Sequence, residues 1–468
     1  MNRQLLLLTA VSFLILYWFI KFRHHIWIAQ FRPQPSIAKR KGKNKSRPFP
    51  FPTKRSECPL CKAEEGMLPP EVIPEPPPLI PHKRGRRHSI CTDRCFCPNN
   101  GCEYYGWLAR GNICSNGHPN SSSWRQLKCI VCETYFMETQ GTIFYCSKAS
   151  PDKMILALKV MAEGMGIQST ARALDLDANT VQNWLKQGAE HMEAVSNYLM
   201  RELNLTQVQV DELWSLLGKR DELAPQKRNT RWVWSATDPE SKLWLDFLIS
   251  DRSLESAQIF IHRVSQLLAP ECVPLILTDG YKPYVTAILT HFGHWVQRFS
   301  EKGRRLPLRW MPLPALTYAQ VVKRRVKRRL VHVSHKVIYG SKESVRDRIR
   351  QSIGNTINTS FVERMNLTLR HHVPALARRT IQIAKTVLGL EQQLIVAGTN
   401  YNFCKPHSSL RLPLPTPIPT KGNGSPKLWE QRTPAMAAGL TDHVWTMEEL
   451  LLFRAPPYYQ PMPERKAA

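Results

Sequence analysis

Three acidic residues occupy positions from which their carboxylates could act together. Asp211 follows a short apolar run, Asp279 follows another, and Glu363 opens a later helical segment. Carboxylates that converge from different elements can hold two divalent ions about 4 Å apart, and such ions stabilise the attacking and leaving oxygens of a phosphodiester. Mg²⁺ suits this role because it binds few carboxylates together with substrate oxygens. These residues therefore predict metal-dependent phosphodiester transfer.

A basic residue follows Glu363 at helical spacing. Arg370 comes seven residues later, two turns along the same face, so it can reach a phosphate beside the metal ions. Arg364 and Arg378 add positive charge within residues 358–401, which we predict to form one long helical region. Taken singly, each acid also fits a plainer role in a turn or an ion pair. The order of the acids and the Glu-x6-Arg spacing favour the catalytic interpretation.

The acids need strands and a helix to bring them together. Residues 205–251 have a strand-like pattern, 254–268 are helical, and 273–279 form a further strand before a second helix. Meandering strands favour antiparallel pairing, and a strand that follows a helix can join in parallel. Acids at the carboxyl ends of strands can then face one crevice. The pattern predicts a mixed α/β domain over residues 205–405.

The charge of the chain indicates a polyanionic partner. Its 468 residues include 65 Lys and Arg against 37 Asp and Glu, a formal net charge of +28. Basic runs occur at residues 39–47, 83–87 and 323–329. Nucleic acid explains so large an excess best, and an anionic membrane surface is the alternative.

Ten of the twelve cysteines lie between residues 58 and 146, which favours zinc ligation over scattered thiols. Cys97-x4-Cys102 and Cys129-x2-Cys132 are two close pairs separated by 26 residues. Close pairs on turns let four thiolates share one tetrahedral ion. Residues 91–148 are therefore predicted to form a zinc ribbon, with free buried cysteines as the alternative.

A further close pair, Cys58-x2-Cys61, lies in the basic, proline-rich segment 29–90. Its nearest completion is Cys91 with Cys95, across the proline-rich linker. A second zinc site formed by these four cysteines is one interpretation, and unpaired thiols are the other. Cys114 and His118, inside the ribbon, are substitute ligands for the first site.

Residues 152–203 have the pattern of a helix-turn-helix unit. Val181, Trp184 and Leu185 recur at helical spacing and should face inward. Amide and basic side chains on the opposite face can bond base edges or phosphates. A three-helix linker with a solvated polar face is the alternative. The residues expected to contact DNA are Asn179, Thr180, Gln182, Asn183 and Lys186.

The two ends of the chain are less informative. Within residues 1–28, the run 5–20 is mostly apolar and slightly shorter than the roughly 20 residues that span a bilayer. It fits a membrane anchor, a buried helix or a dispensable leader. Residues 406–468 are rich in proline and are expected to form an irregular extension.

Three short segments surround the acids: Val210-Asp211-Glu212-Leu213-Trp214, Leu277-Thr278-Asp279-Gly280-Tyr281 and residues 361–371. They resemble the signature blocks of bacterial insertion-sequence DDE transposases, in particular those with a zinc ribbon and a helix-turn-helix before the catalytic domain. The cysteine block and residues 433–440 resemble other parts of such proteins, so the resemblance covers about residues 90–450.

The resemblance implies an RNase H-like catalytic fold, two Mg²⁺ (or Mn²⁺) ions, and cleavage of transposon ends followed by strand transfer into target DNA. Asp211, Asp279 and Glu363 match its metal-binding positions, and Arg370 matches its basic position. It further implies a homo-oligomer that acts on DNA in the cytoplasm and nucleoid. Two other functions stay open: a non-catalytic DNA-binding protein, either a decayed transposase or a membrane-tethered regulator, and a structure-specific nuclease.

Overall fold

A computed structural model describes residues 58–64, 73–81, 91–119, 123–218, 230–327, 329–353, 356–420 and 424–460. The apolar leader 1–28, including the run 5–20, and residues 29–57 lie outside these ranges. Within them, no helix combines the length and the apolar character that crossing a bilayer requires.

The strands fall into one large sheet and three small ones. In chain order they are β1 (Ile113–Ser115), β2 (Gln126–Cys129), β3 (Tyr135–Met137), β4 (Gln207–Leu216), β5 (Thr230–Thr237), β6 (Trp244–Ser250), β7 (Leu275–Asp279), β8 (Gly293–Val296), β9 (Arg309–Pro312), β10 (Thr317–Val326), β11 (Arg329–Tyr339), β12 (Leu412–Ile418) and β13 (Lys427–Glu430).

Along the chain, the α-helices come before, between and after the strands of the large sheet. They are α1 (Pro59–Glu64), α2 (Pro151–Ala162), α3 (Ile167–Ala173), α4 (Ala178–Leu199), α5 (Leu254–Leu267), α6 (Pro283–His291), α7 (Lys342–Gln351), α8 (Ser360–His372), α9 (Val387–Thr399), α10 (Pro434–Ala437) and α11 (Met447–Leu452).

The large sheet has the order β11-β10-β7-β4-β5-β6. Strands β4, β5 and β6 pair antiparallel in sequence, whereas β7 pairs in parallel with β4 on one side and β10 on the other. β11 extends the edge as the antiparallel partner of β10. The mixed α/β class predicted from the sequence is confirmed, and the arrangement is consistent with an RNase H-like fold.

Helices cover both faces of this sheet because the central strands are apolar on both sides. Val210 and Trp234 pack on one face in a cluster that includes residues of α5 and α6. Leu213 and Val233 pack on the other face with residues of α8 and α9. Residues of opposite parity along β4 thus enter different cores, as the alternation of a strand requires.

The region before the sheet contains two smaller units. β1, β2 and β3 form an antiparallel three-stranded sheet within the cysteine-rich segment. Helices α2, α3 and α4 follow, and Asp175 has a positive φ of 51° at the turn between α3 and α4. The Asp177 side chain caps α4 by accepting a hydrogen bond from the backbone N–H of Asn179 at 2.8 Å.

Two predicted elements differ from the structure. The long helical region 358–401 is broken after His372, because Pro374 lacks an N–H and its ring clashes with the preceding turn. Residues 406–468 were expected to be irregular, yet β12 and β13 pair, and α10 and α11 follow. Trp445 and Leu450 of this segment are buried in the same core as α4, so it is part of the main body.

Candidate active site

Parallel pairing of β4 with β7 brings Asp211 and Asp279 together. Val210 pairs with Thr278, so the next residue on each strand is one of the two acids. Asp279 ends β7 as predicted, but Asp211 is the fifth residue of the ten-residue β4 and does not end it. The strand continues because Glu212 to Leu216 still pair with β5 beyond the end of β7.

The structure adds a carboxylate that the sequence interpretation did not include. Oxygens of Asp211, Glu212 and Asp279 all lie within 4.8 Å of one another. Glu212 is not among the site residues predicted from the sequence. Neighbouring residues of a strand point to opposite faces, yet its carboxylate lies close to that of Asp211. The open end of β7 lets both acids approach Asp279. A sequence signal was present in the adjacent pair Asp211-Glu212.

Helix α8 is held over β4 by hydrogen bonds from its first turn. The buried Oε1 of Gln209 accepts bonds from the backbone N–H groups of Phe361 at 3.1 Å and Val362 at 3.2 Å. Farther along α8, Asn366 Nδ2 donates to Asp211 Oδ2 at 2.8 Å. These contacts set the position of α8 relative to Asp211.

Glu363 lies on α8 outside the group of three close carboxylates. Its Oε1 accepts a hydrogen bond from Thr359 Oγ1 at 2.8 Å and forms an ion pair with Lys323 of β10. The side chains of Asp279 and Glu363 are 39% and 46% exposed, whereas that of Glu212 is 2% exposed. Asp279 and Glu363 are therefore open to solvent, whereas Glu212 is shielded from it.

Arg252 offsets part of the negative charge. Its Nη2 lies 3.2 Å from Glu212 Oε2 and 3.5 Å from Asp279 Oδ2. The guanidinium also lies over the rings of Trp232 and Tyr281, with centroid distances of 4.9 and 4.1 Å. These contacts fix Arg252 on the side of Glu212.

Burial and mutual repulsion keep two of the acids weakly acidic. Burial raises the pKa of Asp211 to about 6, and the nearby charges of Asp279 and Glu363 act in the same direction. Burial likewise raises the pKa of Glu212 to about 7, with further contributions from Asp279 and Asp211. Such crowding is costly unless a cation or a proton compensates it.

The donor set fits a divalent ion with a preference for oxygen. Carboxylates and carbonyl-type oxygens are the ligands that Mg²⁺ and Mn²⁺ favour. Asn366 Oδ1, beside Asp211, is buried and makes no hydrogen bond to any residue in the described ranges. A buried oxygen without a donor beside crowded carboxylates is consistent with a cation site. The acids that could hold such an ion are Asp211, Asp279, Glu212 and Glu363.

The predicted basic residues take different positions. Arg370 is on α8, and burial lowers its pKa, as does the charge of Arg378, while Asp211 opposes the shift. Arg364 is exposed on α8. Arg378 is exposed in the segment after α8 and is not on a helix, contrary to the expectation for residues 358–401.

A basic hairpin extends from the sheet beside these acids. The first half of β10 is buried against β7, but its second half and most of β11 are exposed. The first basic residue of its exposed part is Lys323, the partner of Glu363. Its exposed basic residues around the turn are Lys323, Arg324, Arg325, Lys327 and Arg329.

Helix α4 separates the residues expected to face inward from those expected to contact DNA. Val181, Trp184 and Leu185 are buried. On the opposite side Asn179, Gln182, Asn183 and Lys186 are exposed and Thr180 is half-buried.

Four cysteines converge next to the small antiparallel sheet. Sulfurs of Cys97, Cys102, Cys129 and Cys132 lie within 4.8 Å of one another, and Cys97 and Cys132 are 3.5 Å apart. Burial raises the pKa of Cys102 to about 11, since a thiolate there lacks solvation. Four crowded thiols form a donor set that suits a tetrahedral metal ion. The substitute ligands Cys114 and His118 are not in this group.

The Cys58 and Cys61 pair has different partners from those expected. Cys91 and Cys95 do not join it; instead its sulfurs lie beside His262 of α5 and His291 of α6. Cys91 is exposed, and Cys95 packs against the other cysteine group. The histidines were missed because each stands alone in an ordinary helical pattern, far along the chain.

Comparisons with known proteins add little. No protein-family model matches the chain, and no curated protein matches it at a significant level. The crystal structure of the Mos1 strand transfer complex is similar over 30% of this chain and 53% of that chain, with 14% identity and a TM-score of 0.12. A pre-cleavage Mos1 transpososome is similar over 30% of this chain and 56% of that chain, with 10% identity and a TM-score of 0.12. The chain spans about half the length of these Mos1 chains, and similarity at this level supports no functional conclusion.

Proposed function

We propose that this chain is a DNA transposase that cuts the ends of its element and joins them to target DNA. The observation that carries the proposal is the convergence of Asp211 and Asp279, from adjacent parallel strands, beside Glu363. The motif resemblance selects transposition from among the metal-dependent reactions of DNA.

Asp211, Asp279 and Glu363 hold the divalent ions, Mg²⁺ or Mn²⁺. When bound, such ions act as Lewis acids on the attacking and leaving oxygens. The exposed carboxylates of Asp279 and Glu363 meet the incoming phosphate, whereas Glu212 stays buried against Arg252. Arg370 supplies positive charge near Asp211 and steadies the DNA backbone.

The basic hairpin supports DNA as the partner. Its exposed Lys and Arg side chains begin at Lys323, which contacts Glu363. A DNA strand whose phosphates bind along the hairpin would therefore run towards the acids. The exposed side chains of Arg364 and Arg378 extend this charge. The contact between Lys323 and Glu363 supports a cation site and a DNA surface on the same edge of the protein.

The upstream units recognise the element ends. Helix α4 presents Asn179, Gln182, Asn183 and Lys186 on one exposed face, with Thr180 at its edge. Amide side chains on such a face can pair with adenine, and Lys186 with guanine or phosphate. A zinc ion on Cys97, Cys102, Cys129 and Cys132 stabilises the small sheet before this unit. Two copies of the chain hold the two ends, in the cytoplasm and nucleoid.

A reaction with intact element ends tests the proposal. The purified chain is incubated with Mg²⁺, a supercoiled target plasmid, and duplex DNA carrying the inverted repeats that flank its own coding sequence. We expect cleaved 3′ ends and joined products with the wild type. The Asp279→Asn variant should bind the same DNA but form neither product.

Other outcomes identify the rival functions. Cleavage of branched DNA without joined products would indicate a structure-specific nuclease. Equal inertness of the wild type and Asp279→Asn, with DNA binding intact in both, would indicate a non-catalytic DNA-binding protein.

A further inference from the structure

A second group of side chains of the types that bind metal ions lies between the start of the described chain and helices α5 and α6. Cys58, Cys61, His262 and His291 are all buried, and their ligand atoms lie within 4.8 Å of one another. Cys61 Sγ is 3.3 Å from His262 Nδ1 and 3.6 Å from His291 Nε2. No carboxylate belongs to this group.

The distances match those of ligands around one tetrahedral zinc ion. With Zn–S bonds of about 2.3 Å and Zn–N bonds of about 2.0 Å, tetrahedral angles place sulfur and nitrogen about 3.5 Å apart. The two distances from Cys61 Sγ fall on either side of this value.

The four ligands lie in or next to three helices. Cys58 directly precedes α1 and Cys61 lies in its first turn, and a spacing of three residues places them on the same side. His262 is within α5 and His291 is the last residue of α6. The imidazole rings meet edge to face, with centroids 5.4 Å apart.

A hydrogen bond sets the tautomer of His291 for ligation. Its Nδ1 lies 2.8 Å from the carbonyl oxygen of Ala287, which can only accept, so Nδ1 carries the proton. In the neutral ring the lone pair is then on Nε2, the atom that faces Cys61. A backbone carbonyl that orients a ligating histidine in this way is a common feature of zinc sites.

We propose that Cys58, Cys61, His262 and His291 bind a structural zinc ion that fastens residues 58–64 to helices α5 and α6. Four protein ligands leave no open coordination position, so this zinc has no catalytic role. The link joins Cys61 to His262, which is 201 positions later in the chain, and to His291, which is 230 positions later. It also ties the end of α6 to α5, and α6 begins just after Asp279.

Metal analysis of the full-length chain tests the inference. We expect about two zinc ions per chain, one on the four cysteines and one on the mixed group. X-ray absorption at the zinc edge should give an average of about three sulfur and one nitrogen ligands per ion. His262→Ala should lose about one zinc and shift the average to four sulfurs.

Matched variants separate the two sites. Cys146→Ser and His332→Ala remove exposed side chains outside both groups and should keep both ions. The pair Cys97→Ser and Cys129→Ser should keep one ion with two sulfur and two nitrogen ligands.

Three results would overturn the inference. The first is a wild-type protein whose zinc has sulfur ligands alone, a result that does not depend on the folding of any variant. The second is an unchanged zinc content and an unchanged ligand average in a folded His262→Ala protein. The third is a disulfide between Cys58 and Cys61 in the zinc-loaded wild type.

Discussion

Glu212 and Glu363 both lie near the two aspartates, and their exposure distinguishes their roles. Glu212 is on the α5 and α6 side of β4, with its carboxylate buried beside Arg252. Glu363 is nearly half exposed beside Lys323. Of the two, only Glu363 is open to an incoming phosphate, so we propose Glu363 and not Glu212 as the third ligand.

Glu363→Gln should reduce Mg²⁺-dependent cleavage about a thousandfold, because a metal ligand contributes several kcal/mol to the transition state. Glu212→Gln is the matched control and should keep most of the activity. Single-turnover cleavage of end DNA measures both. Loss of activity in Glu212→Gln with full activity in Glu363→Gln would reverse the assignment.

The raised pKa values of Asp211 and Glu212 predict how the Mg²⁺-free protein responds to pH. The folded values are about 6 and 7, above the ordinary values of 3.8 and 4.5. The folded state therefore binds more protons between about pH 4 and 7 and loses stability as pH rises through this range. The loss is up to about 3 kcal/mol per group.

Asp211→Asn removes one of these charges. Its free energy of unfolding should exceed that of the wild type by an amount that grows from pH 4.5 to 7.5. Denaturant titrations in Mg²⁺-free buffer measure the difference at each pH, and any effect of bound zinc is the same in both proteins and cancels. If the difference stays constant or shrinks over this pH range, crowding and burial do not raise the pKa of Asp211 in the folded protein.

At the scale of elements, the hairpin of β10 and β11 carries exposed charge where the sheet no longer buries it. Arg324→Ala with Arg325→Ala should weaken binding to all DNA sequences alike. Each lost phosphate contact should also reduce the slope of log affinity against log salt by about 0.9. Fluorescence anisotropy at several salt concentrations measures both.

Arg346→Ala with Arg350→Ala makes the same change in charge on the exposed face of α7. This control should keep the salt slope of the wild type. Equal effects of the two pairs would show that net charge, and not the hairpin, determines the affinity.

Some elements followed from local sequence, and others depended on distant residues. The apolar run before Asp279 predicted β7 because inner strands are apolar on both faces. Pro374 marked the end of α8, a signal that the long helical prediction overlooked. The continuation of β4 past Asp211 was not visible, because it depends on pairing with β5.

At the scale of the whole molecule, the first and last described segments make contacts with distant residues that the sequence did not predict. Trp445 and Leu450 are buried, although the proline content suggested an irregular tail. The joining of Cys58 and Cys61 to His262 needs the packing of α5 and α6, which no local pattern contains. Close spacing predicts the four-cysteine group, and strand ends predict the meeting of Asp211 with Asp279, whereas no motif links Cys61 to His262.

Gln460 links the tail to the cysteine-rich segment. Its side chain accepts from the N–H of Leu108 and donates to the carbonyl of Gly106, both at 2.8 Å. Gln460→Ala leaves these buried groups without partners and should lower the free energy of unfolding by about 1–3 kcal/mol. Gln187→Ala, at an exposed site, is the control. Equal denaturation midpoints for the two variants would contradict this role.

In the proposed reaction, ions held by Asp211, Asp279 and Glu363 act directly on the phosphodiester. Sulfur in place of the 3′-bridging oxygen at the cleavage point tests it, because Mg²⁺ binds sulfur poorly and Mn²⁺ binds it better. The measurement is the single-turnover cleavage rate of both DNAs in each ion. We predict that sulfur slows cleavage in Mg²⁺ and that Mn²⁺ restores the rate. If sulfur slows cleavage by the same factor in Mg²⁺ and in Mn²⁺, the ions do not act on the leaving oxygen, and the proposed reaction is contradicted.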